Sequence, residues 1–353
     1  MQNKAALKKL IPKLCVDGIL ITNLVNVRYL SGFSGSSAFI ILTEKHSIFV
    51  TDFRYKEQAA KEIKGFRIII ENSERPKEIK ALCIKFGIKT LGFEADDLKY
   101  SFYQKLLKNK IKLKPLSNTV ESLRIIKSDY ELYNIRIAVK RAERAFRRLL
   151  PHIKKGETER ALALRLEGHL RDEGCEKLPF GAIVASGPMS AFPHARPTNR
   201  RLKAGDLVVF DWGGECEGYF SDMSRTVLLN GKNLDNQRFV YSVVLEAQKR
   251  AIKAVGPGVM SSAIDAAARD YMKQEDLDDF FGHATGHGVG LAIHEKPVVS
   301  WRSKDAVENG MVFTVEPGIY IPDFGGVRIE DMVVVTKSGA EVLTGLPKKL
   351  RII

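Results

Sequence analysis

Residues 282–297 read GHATGHGVGLAIHEKP and hold three of the chain's seven histidines, His283, His287 and His294. A His-x-x-x-His pair alone is a weak metal signal. It gains meaning beside carboxylates, and these occur on both sides of it. Asp211 and Asp222 lie upstream in DWGGECEGYFSD; Glu316 and Glu330 lie downstream in TVEPG and GVRIED. Each interrupts a run of Val, Phe, Ile or Met, where acids form strands poorly and are rarely buried without partners. Four carboxylates carry four negative charges, which two divalent cations offset; a single ion would leave a buried excess. Oxygen-rich donors with one imidazole suit Mn, Co, Fe or Zn. Paired ions acidify a shared water and polarise a carbonyl, which fits hydrolysis of a peptide or amide. A phosphoester would call for Arg, Lys or a helix N-terminus around the phosphate, and no P-loop pattern occurs.

These residues must be held by strands and turns rather than by a helix. Gly282, Gly286, Gly288 and Gly290 each disfavour helix and suit tight bends or close approach. Residues 207–212 and 218–229 read as a hairpin around Gly213, Gly214 and Gly218, and residues 311–318 and 326–335 as a second strand pair. Helices are expected over 158–173, 236–255 and 261–274. Another starts at the Ser128–Glu131 capping-box pattern, where Leu132, Ile135, Val139, Ala142, Phe146 and Leu149 form an apolar stripe. Helices followed by paired strands, twice over, suggest two related halves. Upstream, five short apolar runs (18–22, 38–42, 47–52, 66–71, 90–94) alternate with helical stretches and predict a smaller α/β domain. Residues 26–37, NVRYLSGFSGSS, read as a Gly/Ser-rich loop. The expected boundary separates 1–122 from 123–353.

The 353-residue chain has room for two cores and carries a net charge of +14. Residues 1–122 hold 22 Lys/Arg against 12 Asp/Glu, but the lysines are dispersed along helices without interleaved aromatics. A solvated surface is expected, with no nucleic-acid partner. No run of eighteen apolar residues occurs, so no membrane partner is expected. The first fourteen residues read as a short amphipathic helix rather than a signal peptide. Four scattered cysteines without a Cys-x-x-Cys pair point to a reducing, cytoplasmic setting.

DWGGECEGYFSDMSRT, GHATGHGVGLAIHEKP, VFTVEPGIY and GVRIEDMVVVT together resemble the dinuclear pita-bread metallopeptidases, in the Xaa-Pro aminopeptidase and prolidase branch. The resemblance covers essentially the whole chain. It implies a pita-bread α+β catalytic domain with pseudo-twofold halves behind a creatinase-like α/β N-terminal domain. It makes Asp211 a terminal ligand of one metal and His287 and Glu316 terminal ligands of the other, with Asp222 and Glu330 bridging. Glu316 would also move the proton of a metal-bridging hydroxide. His194 and His283 would contact substrate, His294 would meet the scissile carbonyl or oxyanion, and Arg328 would orient Glu330 or reach substrate. Two ions are expected, Mn first and Co, Zn or Fe as alternatives. The expected substrate is a peptide with proline second, cut as by an Xaa-Pro aminopeptidase, with prolidase as the alternative. A homodimer is the expected assembly. Methionine aminopeptidase lacks counterparts of His283 and Arg328, creatinase lacks the metal ligands, and a pseudo-peptidase binding module would have lost ligands that stand intact here.

Overall fold

The structure, a computed structural model, describes residues 2–353. The chain divides into two compact units, one ending at Arg124 and the other spanning Ile125–Ile353.

In the first unit, β1 (Gly18–Ile21), β2 (Ala38–Leu42), β3 (Ser47–Thr51), β4 (Arg67–Ile70), β5 (Thr90–Glu94) and β6 (Lys112–Leu116) form one sheet. Its order is β4-β3-β2-β1-β5-β6, antiparallel across β1-β2-β3 and parallel elsewhere. The helices are α1 (Gln2–Leu10), α2 (Leu24–Ser31), α3 (Lys56–Glu62), α4 (Arg75–Lys85), α5 (Tyr100–Lys108) and α6 (Glu121–Arg124). Both sheet faces are covered, so the central strands are apolar throughout. Alternation sends Ile19 and Ile21 into one core and Leu20 into the other.

One expectation fails here, and one strand goes beyond those expected. Much of the stretch read as a loop over 26–37 belongs to α2. Asn23 accepts from the Val25 N–H at its start, and Gly32 closes it at φ 81°. Asn26, Val27 and Leu30 bury one face of this helix, and that packing outweighs its weak propensity. The polar strand β6, KLKPL, is also unforeseen. It is an edge strand, where lysines and a proline are tolerated.

At the end of β5, Glu94 accepts from the Thr22 and Asn23 N–H groups at 2.6 and 2.8 Å and from Asn26 Nδ2 at 2.6 Å. Burial nonetheless pushes its carboxyl up to about 7.

The second unit opens with α7 (Asp129–Leu149), where the Ser128 N–H and hydroxyl both donate to Glu131 Oε2, at 3.0 and 2.8 Å. Next come α8 (Glu159–Asp172), β7 (Ile183–Ser186), β8 (Leu207–Trp212), β9 (Glu215–Cys216), β10 (Tyr219–Phe220) and β11 (Met223–Leu228). A second helix pair, α9 (Asp235–Ala254) and α10 (Ser261–Gln274), precedes β12 (Gly286–Gly288), β13 (Glu295–Val299), β14 (Val312–Val315) and β15 (Gly318–Ile321). The chain ends with β16 (Gly325–Arg328), β17 (Asp331–Thr336), β18 (Gly339–Val342) and β19 (Arg351–Ile352). One sheet runs β19-β11-β8-β7 and the other β13-β12-β14-β17-β18; β9-β10 and β15-β16 are separate ribbons. A helix pair thus leads into a largely antiparallel sheet twice.

Trp212 locks β8 onto α7. Its ring stacks on Phe146 at 4.3 Å, and its indole N–H donates to Ala142 O at 3.0 Å. By strand alternation the neighbouring Asp211 then faces away from that helix.

The long strands expected over 218–229, 311–318 and 326–335 are each broken. Asp222 falls between β10 and β11, Glu316 follows β14, and Glu330 falls between β16 and β17; only Asp211 lies within a strand. Carboxylates fit a pleated ladder poorly, and a break lets each one turn inward. Two residues apart on one strand, Arg328 and Glu330 would share a face, but β16 ends at Arg328 and they do not.

Candidate metal centre

One cavity of about 480 Å³ in the second unit gathers the chemistry. Asp211, Asp222, His287, Glu316 and Glu330 all line it. So do His194, His283, His294 and Arg328.

The tightest group is Asp222, His287 and Glu330, whose donor atoms lie within 4.8 Å of one another. His287 is carried by β12, where Thr314 Oγ1 accepts its backbone N–H at 3.1 Å. Its Nδ1 lies 3.1 Å from Gly288 O, a contact only an N–H can make, so the neutral ring has its lone pair on Nε2. Burial holds this imidazole below its ordinary pKa, which favours the neutral form. Nε2 faces Glu316 Oε1 at 3.4 Å and Asp222 Oδ2 at 3.6 Å. Three atoms able to bind a cation thus converge on one point.

The carboxylates are equally crowded. Burial, followed by repulsion from the neighbouring acids, raises Asp222 and Glu330 well above the usual carboxylate range. Asp211 Oδ1 is buried and has no hydrogen-bond partner among the described residues. Lone pairs meeting lone pairs, and one orphaned oxygen, are what a cation relieves. The donor set, carboxylates with one imidazole, therefore fits divalent metal ions.

Around this group stands a shell that the sequence reading assigns only in part. Arg328 Nη2 donates to Asp211 Oδ2 at 2.6 Å and Nε to Ser224 Oγ at 2.8 Å. Ser224 in turn donates to Glu330 Oε2 at 2.7 Å, so a serine, not strand alternation, connects Arg328 to Glu330. Thr314 Oγ1 donates to Glu316 Oε1 at 3.0 Å.

Tyr320 is the largest omission. Its hydroxyl accepts from Arg328 Nη1 at 2.8 Å and lies 3.0 Å from His283 Nε2. His283 Nδ1 donates to Ala284 O at 2.8 Å, so Nε2 is the acceptor and the Tyr320 hydroxyl donates to it. The sequence signal lay in two glycines. A Cβ at Gly318 would fall 2.5 Å from the Tyr320 hydroxyl; one at Gly326 would fall 2.1 Å from Ser190 O and 2.9 Å from the Tyr320 ring. His194 and His294 sit at the exposed rim, with the His294 ring 4.2 Å from that of His287.

Behind the histidine segment, buried Asp265 accepts from Thr285 Oγ1 at 2.7 Å. Arg269 pairs with Asp265 and donates to the carbonyls of Phe281 and His283 at 2.7 and 3.0 Å. This clamp fixes the backbone that carries His283 and His287.

Two helix-and-sheet halves around a carboxylate-rich centre with one imidazole define a pita-bread metallopeptidase. The chain belongs to metallopeptidase family M24, in its Xaa-Pro peptidase branch: the M24 family model matches residues 133–337 and the creatinase/prolidase N-terminal domain model residues 4–126. An Xaa-Pro dipeptidase of Pyrococcus horikoshii is 38% identical over 340 residues, 95% of this chain and 94% of the relative. The solved Xaa-Pro dipeptidase from Bacillus anthracis superposes with a TM-score of 0.97 at 39% identity, covering 100% of this chain and 99% of that one. The X-Pro aminopeptidase from Thermotoga maritima gives 0.91 at 34% identity, covering 99% and 100%. The protein is a metallopeptidase, and its family implies divalent metal ions. No helix among the described residues is long and apolar enough to cross a membrane.

Proposed function

We propose that the protein hydrolyses the peptide bond between an N-terminal residue and proline, with two divalent cations held by Asp211, Asp222, His287, Glu316 and Glu330. The observation that carries this reading is the His287 Nε2 lone pair facing two carboxylates. When bound, such ions, with Mn the first choice and Co, Zn or Fe the alternatives, supply a Lewis acid and an acidified water.

The chain's own residues do the rest. Glu316 is held through Oε1 by Thr314, and its carboxylate takes a proton from the attacking water and passes it to the leaving nitrogen. Burial raises its proton affinity, which suits that task. His294, at the rim, donates to the carbonyl oxygen as negative charge develops there. Arg328 and Tyr320 hold Asp211, Glu330 and His283 in place and leave few rotamers open to them.

A proline nitrogen has no N–H, so recognition must come from shape. His194 with Pro193 forms one wall for the ring, and His283 another; Phe192 is exposed and does not line the cavity. The aminopeptidase reading rests on the sequence motifs. The dipeptidase reading is favoured by the names of the P. horikoshii and B. anthracis relatives. The decisive experiment compares kcat/KM for matched Xaa-Pro and Xaa-Ala peptides on the Mn-loaded protein. An unfilled wall costs about 1–3 kcal/mol per missing methylene, so a preference of roughly several hundredfold is expected. Equal values would overturn the proline reading. His194→Ala should narrow the preference while metal content holds.

A further inference from the structure

The cavity that holds the metal-binding residues does not end at His194. A second cavity of about 450 Å³ shares Gly181, Ile183 and His194 with it as a common wall. Its far side is one face of α8, where Arg160, Ala163, Leu164 and Glu167 follow helical spacing. Its near side is the segment of Ala195, Arg196 and Pro197.

Three features mark this groove as built to receive a chain. First, its walls are pinned together. Glu159 is fully buried at the start of α8, and each of its carboxylate oxygens accepts twice. Oε1 takes the Ser186 N–H and hydroxyl at 2.8 and 2.7 Å; Oε2 takes those of Thr198 at 3.0 and 2.6 Å. One side chain thus joins the helix, the end of β7 and the segment after Pro197.

Second, the groove combines apolar surface with spare positive charge. Leu164 is 63% exposed on its helix face. The Arg160 and Arg196 guanidinium groups have no hydrogen-bond or ion-pair partner among the described residues. Glu167, the one acid of the lining, is already engaged, with Oε1 accepting the Ala182 N–H at 3.0 Å. Third, the groove is continuous with the substrate site at His194, the residue proposed to meet proline.

We propose that this groove receives the residues that follow proline, and that Arg160 and Arg196 attract the C-terminal carboxylate of a short peptide. The inference rests on the Xaa-Pro reading and extends it to substrate length: the protein cuts peptides of three and four residues, not dipeptides alone. A dipeptide ends at His194 and leaves the groove empty.

The test uses the full-length, Mn-loaded protein and three substrates: Xaa-Pro, Xaa-Pro-Yaa-Zaa, and the same tetrapeptide amidated at its C-terminus. Leu164→Trp fills the groove from an exposed position. It should lower kcat/KM for the tetrapeptide about tenfold or more while the dipeptide changes by less than about twofold, which also reports correct folding. Arg160→Glu and Arg196→Glu should cost the free-acid tetrapeptide roughly fivefold and spare the amide. Wild-type protein that cuts the dipeptide but not the tetrapeptide overturns the groove assignment alone. So does a Leu164→Trp variant that loses both substrates equally or neither. Wild-type protein that cuts no Xaa-Pro bond overturns the peptidase reading, and the groove assignment with it.

Discussion

Arg328 meets Asp211 at 2.6 Å, Nη2 to Oδ2, with the two side chains only 4% and 15% exposed. That contact commits one oxygen of Asp211 and leaves Oδ1 for a cation. The same guanidinium reaches Glu330 through Ser224 and His283 through Tyr320. One planar fork therefore sets the direction of three groups around the centre. Lysine carries the charge but not the fork. Arg328→Lys should reduce activity or metal affinity roughly 10–100-fold, read from kcat and from bound metal after dialysis. Wild-type values for both would remove Arg328 from this role.

Chelation should stop hydrolysis, and Mn or Co should restore it. Asp222→Ala removes a buried carboxylate that Glu330, Asp211 and Glu316 also repel. Elemental analysis should show most of the metal gone from that variant, not a selective loss of one ion. Full turnover by demonstrably metal-free protein would sink the metal reading.

His294→Ala should behave differently from the ligand variants. If its ring donates to the developing oxyanion, kcat falls by roughly 10²–10³-fold and metal content stays at the wild-type level. Loss of metal would instead make His294 a ligand.

Glu94 should make the first unit sensitive to pH. Burial raises its carboxyl from 4.5 to about 7 despite three donors, so folding favours the protonated form. The stability it contributes is complete below about pH 4.5 and is lost as pH rises from there through about 7. The slope is at most about 1.4 kcal/mol per pH unit. Glu94→Gln keeps the shape and cannot ionise. Thermal unfolding of both proteins from about pH 5 to about pH 8 should show wild type losing ground steadily; parallel curves would refute the shift.

Polar residues in apolar runs are conspicuous, so Asp211, Asp222, Glu316 and Glu330 are legible in the sequence, and the fold class follows from the same motifs. What stays hidden is how neighbours hold them. Ser224 and Tyr320 are ordinary strand residues until folding brings them beside Arg328. They lie 104 and 8 residues from it along the chain, distances that no periodicity encodes. The breaks before Asp222 and Glu330 are missed for a related reason. Strand-forming residues continue on either side, Tyr219, Phe220 and Met223 around Asp222 and Val327, Ile329 and Met332 around Glu330, and only the tertiary ladder shows where pairing stops. The helix Leu24–Ser31 escapes because its stability comes from burial of Asn26, Val27 and Leu30, not from local propensity.

The placement of Asp222, Glu316 and Glu330 at strand ends divides labour within the protein. An acid in mid-strand moves only with its ladder, and the ladder moves only with the core behind it. Here the Asp222 N–H points to the sulfur of Met332 at 3.2 Å and the Glu330 N–H reaches Ser224 O at 3.2 Å, neither of them a rung between paired strands. In the proposed centre, those two carboxylates would settle around cations of different radius while the sheets on either side keep their register. Tolerance at the centre and rigidity around it come from the same interruption of the strands.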